Sequence, residues 1–362
     1  MSNQVGVAIF GIGAFGSSHY RVYRELEASG EPVRIAAIAD PDPAAAERLR
    51  HLSPGVSPES PACFSSIADC LRARRSGRLN FDAVSICVPT SAHYTAATEA
   101  LAEGLDVLLE KPAASTLQQA DALLRQSSEG RRILQIGHLE RFNPAIAAVV
   151  PLLRGPMFFE AHRLSVFTPR ALDVDVVLDL MIHDLDIVSA FVDSPVCEVR
   201  AVGLPVLSGQ VDIANVRLEF NSGAVANFTA SRVSTERVRK LRFFQPHQYV
   251  SIDYARRDIL IVNTDAPKNI PGAHTDAARD DAHAAAAHPS SGLSFLKPEV
   301  PAGEPLQLEI RDFLDCVRTR RAPLVSAQAG RDALALALEI NREIAAHTVR
   351  AGLASSLRSP VS

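Results

Sequence analysis

Val5-Gly6-Val7-Ala8-Ile9-Phe10-Gly11-Ile12-Gly13-Ala14-Phe15-Gly16 is the stretch that decides the fold. Val5 to Phe10 reads as a buried strand, and beyond Gly16 the pattern turns helical from about Ser17 to Leu26. Glycines spaced GxGxxG between a strand and a helix mark the turn of a dinucleotide-binding unit. Gly11 permits the tight turn, Gly13 lets a pyrophosphate approach the backbone, and Gly16 lets helix and strand pack closely. The helix amino terminus then presents N–H groups to the anion.

Glycine spacing alone is a weak signal, and the next strand strengthens it. Val33 to Ala39 ends in Asp40, where a carboxylate accepts hydrogen bonds from an adenosine ribose and repels a 2′-phosphate. NAD is therefore expected ahead of NADP, and Pro41 rather than a basic residue follows. Further strands are expected at Ala83 to Val88, Val107 to Glu110 and Ile133 to Ile136, alternating with helices through about residue 140. That alternation implies a doubly wound, mainly parallel sheet, which binds ligands at the carboxyl ends of its strands. Two more turns reach that edge. One is Val88-Pro89-Thr90-Ser91-Ala92-His93, and the other is Glu110-Lys111-Pro112, whose proline stiffens the loop carrying Lys111. The expected cofactor surroundings are thus Gly11, Ile12, Gly13, Phe15, Gly16, Asp40, Pro89, Thr90, His93, Glu110 and Lys111.

A second chemical signal lies in Val176-Val177-Leu178-Asp179-Leu180-Met181-Ile182-His183-Asp184-Leu185-Asp186. At about 100° per residue, Asp175, Asp179, His183 and Asp186 share roughly a quarter of a helix circumference, and apolar residues cover the rest. Such a helix is expected to be buried on most sides, with its polar stripe lining a cavity. There the Asp179 carboxylate would orient the His183 imidazole and stabilise its protonated form, as a general base requires. Taken alone, an Asp/His pair on a helix is more often a structural hydrogen bond. The dinucleotide turn upstream is what favours catalysis.

From about Met157 the pattern changes to period-two strands: Phe158 to Phe167, Val196 to Gly203, Asn215 to Phe220, Ala224 to Ser231, Val238 to Phe244 and Tyr249 to Asp253. Asn221-Ser222-Gly223 is a hairpin connection, so an antiparallel sheet is expected, covered on one face by the His183 helix. Self-association as a dimer or tetramer is expected to cover the other face. Residues 265–304, rich in Ala, Pro, Asp and His without a period, read as a mobile insertion. His274, His283 and His288 within it are too irregularly spaced for a metal reading. Helical periodicity resumes from Glu309 to Val317 and from Ala329 to about His347, in segments expected to pack back near the domain boundary. The organisation expected is a dinucleotide-binding domain over residues 1–140 and an α+β substrate and oligomerisation domain over residues 141–362.

Composition excludes several partner classes. The chain has 362 residues, with 37 Lys and Arg against 41 Asp and Glu for a net charge of −4, and lacks the basic excess that grips nucleic acid. Its five cysteines are odd in number and never spaced as CxxC, which argues against a disulfide framework and a thiolate metal site. No apolar run reaches the length of a membrane span and no cleavable leader precedes Val5, so a cytoplasmic location is expected.

With the glycine turn, Glu110-Lys111-Pro112 and Asp179-x-x-x-His183 all in place, the chain resembles the Gfo/Idh/MocA oxidoreductase family over roughly residues 5 to 345. The resemblance implies an amino-terminal dinucleotide domain, a carboxy-terminal open-faced sheet, and oxidation or reduction of a sugar or polyol. It matches Lys111, Asp179 and His183 to the family's catalytic residues, and Gly11, Gly13, Gly16, Asp40, Pro89 and His93 to its cofactor contacts. A finer resemblance lies in Gly137-His138-Leu139-Glu140-Arg141-Phe142-Asn143-Pro144, in Asp179-Leu180-Met181-Ile182-His183-Asp184-Leu185-Asp186 and in Ala230-Ser231-Arg232-Val233-Ser234. These are similar to the branch of UDP-N-acetylglucosamine 3-dehydrogenases, which prepare a 3-keto sugar nucleotide for amination towards diamino-sugar lipid A. In that branch Arg141 suits a pyrophosphate and Asn143 sugar hydroxyls, although Arg141 equally suits an interdomain salt bridge. An inositol or free-sugar dehydrogenase and a non-catalytic NAD-binding sensor are the alternatives.

Overall fold

The computed structural model describes residues 4–52, 60–167, 174–264 and 293–353. Along the chain run β1 (Val5–Phe10), α1 (Ala14–Ala28), β2 (Val33–Ala39), α2 (Ala45–Leu52), β3 (Ala62–Phe64), α3 (Ile67–Arg75), β4 (Ala83–Ile86), α4 (Thr90–Ala102), β5 (Asp106–Glu110), α5 (Leu117–Glu129) and β6 (Leu134–Gly137). After a 3₁₀ turn at Leu139–Phe142 come α6 (Pro144–Val149) and β7 (Phe158–Leu164), then a π-helical turn at Val177–Met181 that leads into α7 (Ile182–Val192). The remainder is β8 (Val196–Leu204), β9 (Ile213–Phe220), β10 (Val225–Ser231), β11 (Val238–Gln245), β12 (Gln248–Asp253), β13 (Asp258–Asn263), β14 (Ser294–Leu296), α8 (Pro305–Thr319) and α9 (Ala327–Arg350). Two compact units result, Met1–Phe142 with Glu304–Ala335, and Asn143–Gly303 with Leu336–Ser362.

The first unit holds a parallel sheet in the order β3-β2-β1-β4-β5-β6, the doubly wound arrangement with its reversal between β1 and β4. Helices cover both faces, so successive residues of β1 enter different cores. Val7 and Ile9 join one apolar cluster and Ala8 and Phe10 the other. Ser66 and Thr116 start α3 and α5 by accepting the backbone N–H of Asp69 and Gln119, the usual amino-terminal cap. α8 belongs to this unit, because its apolar stripe of Leu306, Ile310, Phe313 and Leu314 completes the cluster around Val7, Ile9 and Tyr23. Chain order assigned these residues to the second domain, whereas apolar burial draws them back to the first.

The second unit holds an eight-stranded sheet in the order β14-β13-β12-β11-β7-β10-β9-β8. Its pairs are antiparallel except β7 with β10, which run parallel. Residues alternate between buried and half-buried along β7, and Phe191 of α7 meets Phe243 of β11 edge-on with ring centroids 6.1 Å apart. The helix thus covers one face of the sheet. Three strands depart from the sequence expectation. β3 and β14 have three residues each, too few for a periodic signal, and β13 packs four apolar residues in a row instead of alternating. β14 pairs with β13 inside the stretch expected to be an insertion, with Ile261 opposite Leu296. Residues 265–292, with His274, His283 and His288, lie outside the described residues, as does the terminus after Leu353.

Candidate functional site

In the first unit the glycine turn is built by backbone constraint. Gly11 has φ of +87°, and a Cβ there would lie 2.8 Å from the Cys87 carbonyl and the Val88 nitrogen. A Cβ on Gly16 would collide with the Gly11 carbonyl. Gly13, by contrast, has nothing within 4 Å of its Cβ position, so the turn is open on that side. Gly13 also precedes α1 without any side-chain cap, which leaves the helix N–H groups available to an anion. Ile12 is buried, with its N–H donated to Asp40 Oδ2 at 2.5 Å, and Phe15 is exposed above His19. These features fit a bound pyrophosphate.

Asp40 stands at the end of β2 and links two loops, its second oxygen accepting the Asp42 N–H at 2.8 Å. A cavity of about 150 Å³ beside it is lined by Ile38, Asp42, Pro43, Phe64 and Ser65. Sequence reading passed over Arg48, whose guanidinium pairs with Asp42 and donates to the Ile12 carbonyl at 3.2 Å. That partner holds the Asp42 carboxyl below its ordinary range. A larger hollow of about 590 Å³ opens at the opposite, amino edge of the sheet, among Val5, Asp82, Asp106 and Arg320. Arg320 is already paired with Asp106 there, and the hollow lies away from the glycine turn.

The other two loops meet at His93. This buried ring sits on α4, whose first residue is Thr90 and whose cap is Pro89, and it bridges the turns after β4 and β5. Its Nδ1 lies 2.7 Å from the Pro112 carbonyl and its Nε2 2.9 Å from the Val88 carbonyl. Burial lowers the His93 pKa, against the two carbonyls, which favour the charged ring. Glu110 does not turn towards an open cofactor groove. Its carboxylate is buried and meets His19 Nε2 at 3.0 Å, in the space left by Gly137 on β6, where a Cβ would lie 2.8 Å from Glu110 Oε1. Lys111 follows immediately at the strand end, and the Lys111–Pro112 peptide is cis.

In the second unit the helix expected to be continuous is not. Val177–Met181 forms a π turn, so Asp179 lies in the widened segment and His183 in the first turn of α7. π turns of this kind recur at functional sites because they displace a side chain from the regular helical stripe. Asp175 leaves that stripe altogether. Its carboxylate caps the segment by accepting the N–H groups of Val177 and Leu178, and it also accepts the Asn341 amide at 2.8 Å. Val176, Val177, Met181, Ile182, Leu185 and Ile187 are buried, whereas Leu178, Asp179, Leu180 and His183 are only half-buried. Both expected catalytic groups are therefore among the half-buried residues of a mostly buried segment.

Arg163 of β7 holds the neighbouring Asp184 by two hydrogen bonds, Nε to Oδ2 at 2.8 Å and one terminal nitrogen to Oδ1 at 2.9 Å. Both side chains are buried, and the guanidinium lies 5.3 Å from the Tyr254 ring centre. Neither the inward position of Arg163 nor its partner was legible from the sequence. Asn143, expected to touch substrate, is only 3% exposed and caps α6 by accepting the Ala145 N–H at 3.1 Å. Arg141, in the 3₁₀ turn of the first unit, is half-buried. Burial pushes the Cys70 and Cys316 thiols up to about 12 and about 11, out of the nucleophilic range. Among the described residues no helix is long and apolar enough to cross a membrane.

Comparison with known proteins agrees with this fold. Residues 5–138 match the oxidoreductase family model with an NAD-binding Rossmann fold, and residues 155–245 match the GFO/IDH/MocA carboxy-terminal domain. The chain is 33% identical over 343 residues to UDP-N-acetylglucosamine 3-dehydrogenase of Acidithiobacillus ferrooxidans, covering 94% of this chain and 98% of that one. It is 27% identical over 250 residues to scyllo-inositol 2-dehydrogenase (NAD(+)) of Bacillus subtilis, covering 65% of this chain and 69% of that one. The solved structure of the Acidithiobacillus enzyme superposes with a TM-score of 0.79 at 31% identity, covering 95% of this chain and 98% of that chain. The dinucleotide turn, the mixed second sheet and this near full-length likeness make the chain a member of the Gfo/Idh/MocA oxidoreductase family.

Proposed function

We propose that this protein uses NAD to oxidise a hydroxyl of a sugar nucleotide to a ketone, with the 3-hydroxyl of UDP-N-acetylglucosamine as the favoured substrate. The near full-length likeness to an enzyme of that name carries the reading. The half-buried Asp179 and His183 on a mostly buried segment support it. NAD, when bound, accepts the hydride that leaves the carbinol carbon. His183 takes the hydroxyl proton as the C–H bond breaks, and Asp179 stabilises the imidazolium that forms. Lys111 donates a hydrogen bond to the same oxygen and offsets its developing negative charge. Arg141 pairs with the diphosphate, for which a guanidinium fork is suited. Preference for NAD over NADP follows from Asp40 and Asp42, two carboxylates that would repel a 2′-phosphate, with the nearby Arg48 already engaged.

Mixing the protein with NAD and UDP-N-acetylglucosamine, and following the reduced nicotinamide band, tests the reading directly. Turnover with the sugar nucleotide that exceeds turnover with inositol or glucose is the expected result, and NADP should support less of it. Equal or better turnover of inositol overturns the substrate assignment. Binding of NAD without reduction by any sugar overturns the enzymatic reading in favour of a sensor.

A further inference from the structure

Beneath the glycine turn lies a group of titratable side chains that hydride transfer does not use. His19 of α1 and Glu309 of α8 are fully buried, Glu110 of β5 is 9% exposed, and one ligand-type atom from each lies within 4.8 Å of the other two. His19 and Glu110 are paired, whereas neither carboxyl oxygen of Glu309 has a hydrogen-bond partner among the described residues. Around Glu309 stand the paired hydroxyls of Tyr23 and Ser85, the Cys87 thiol, Asp312 and the Gln135 amide, which donates to the Glu309 backbone carbonyl. No lysine or arginine is among these neighbours. Two carboxylates this close, with only one imidazole between them, cannot both be ionised in a dry interior. An unpaired buried anion costs far more than a neutral carboxyl, whose lost hydrogen bond costs about 1–3 kcal/mol.

We propose that Glu309 is a positioning residue, a neutral buried acid that leaves Glu110 as the only anion of the cluster, paired with His19, and so fixes the strand end that carries Lys111. Its importance for turnover rests on the role proposed above for Lys111. Burial, then Glu110 and then Asp312 raise the Glu309 pKa well above its ordinary value, in the same sense. The sign of the linkage follows. A carboxyl whose pKa is raised by folding contributes stability that is complete below its unfolded value of about 4.3 and declines as pH rises towards the folded value. Ionisation of Glu309 would set a second charge against Glu110 and loosen its hold on His19. Pressure on the Glu110 carboxylate from Gly137→Ala should mimic that disturbance.

Three measurements test the proposal. Unfolding temperature is measured from pH 5 to pH 8.5 for the wild type and for Glu309→Gln, which carries the shape of the neutral acid without its proton. Glu309→Gln should lose the wild-type decline at high pH, so that its advantage grows with pH; a constant difference, or one that shrinks, overturns the neutral acid. Infrared difference spectra at pH 7 should contain a protonated carboxyl band in the wild type that Glu309→Gln lacks, and its absence from the wild type overturns the proposal, as does one equivalent of bound metal in the purified protein. In turnover, Glu309→Ala and Gly137→Ala should each lower kcat at least about tenfold with KM for NAD little changed, and Glu309→Gln should restore most of the loss. A Glu309→Gln variant as impaired as Glu309→Ala overturns the positioning role. The first two measurements need no substrate, so they decide the protonation state even if no sugar is oxidised.

Discussion

β1 and β7 are strands of similar length that bury their side chains in different ways. All six residues of β1 are buried, whereas β7 alternates half-buried with buried positions. The parallel sheet has helices on both faces, so its central strand β1 is apolar throughout and ends in the glycine turn. The second sheet is covered by a helix on one face, and its inward positions admit a charged residue when a partner waits, as Arg163 does for Asp184. The proposed pyrophosphate turn of the first unit is accordingly shaped by backbone, whereas the proposed proton acceptor of the second is a side chain. Gly11 and Gly16 matter for the side chains they lack, while Arg163 matters for the charge it presents to Asp184.

That contrast can be broken in descending order of effect. Replacing His183 by Asn removes the proposed proton acceptor, and kcat should fall roughly 10³-fold with NAD affinity unchanged by calorimetry. Wild-type turnover in that variant would remove His183 from the mechanism. Arg163→Ala leaves Asp184 buried without its two-point partner and should cost about 3 kcal/mol in denaturant unfolding of the second unit. A loss no larger than that of an exposed pair, under about 1 kcal/mol, would show that the clamp does not lock α7 to β7.

In the first unit the sharper test is a pair of added methyl groups. Gly16→Ala forces a carbon against the Gly11 carbonyl and should cost about 2 kcal/mol of stability as well as cofactor binding. Gly13→Ala meets open space, so it should weaken NAD binding and leave the unfolding temperature alone. If both variants lose stability equally, the glycine turn is a folding element before it is a binding one. The smallest effect is that of His93. Burial lowers its pKa, so the folded protein favours the neutral ring, and that contribution is complete above the unfolded value of about 6.5 and lost as pH falls below it. Unfolding temperature should therefore drop on acidification from pH 7 to pH 5 more in the wild type than in His93→Gln.

Much of the fold was legible because burial imposes periods. The apolar run of β1, the carboxylate after β2 and the alternation of β9 and β10 were each readable where they occur. β3 and β14 were not, because three residues carry no period. Within the candidate site, Gly11 and Gly16 make the close backbone approaches their spacing implied, and Asp40 stands at the end of β2 with its two oxygens accepting the Ile12 and Asp42 N–H groups. Glu110 faces His19 instead of a groove, Asn143 caps a helix, and Asp175 caps the segment whose polar stripe it was expected to join. A period of 3.6 cannot foresee the π turn at Val177–Met181, since a widened turn leaves no mark in the spacing of apolar residues.

By itself the amino-acid sequence determined the dinucleotide turn, the carboxylate that stands beside it and the change from parallel to mainly antiparallel architecture. These depend on neighbours a few residues away, whose sterics and periodicity are written in order along the chain. Only the tertiary structure decided that α8 belongs with the first unit, that Glu309 lies against His19 and Glu110, and that Arg163 holds Asp184. Each of those pairings joins residues distant in sequence, and what selects them is the free energy of burying apolar surface and matching buried charge, which exists only once the chain has closed upon itself.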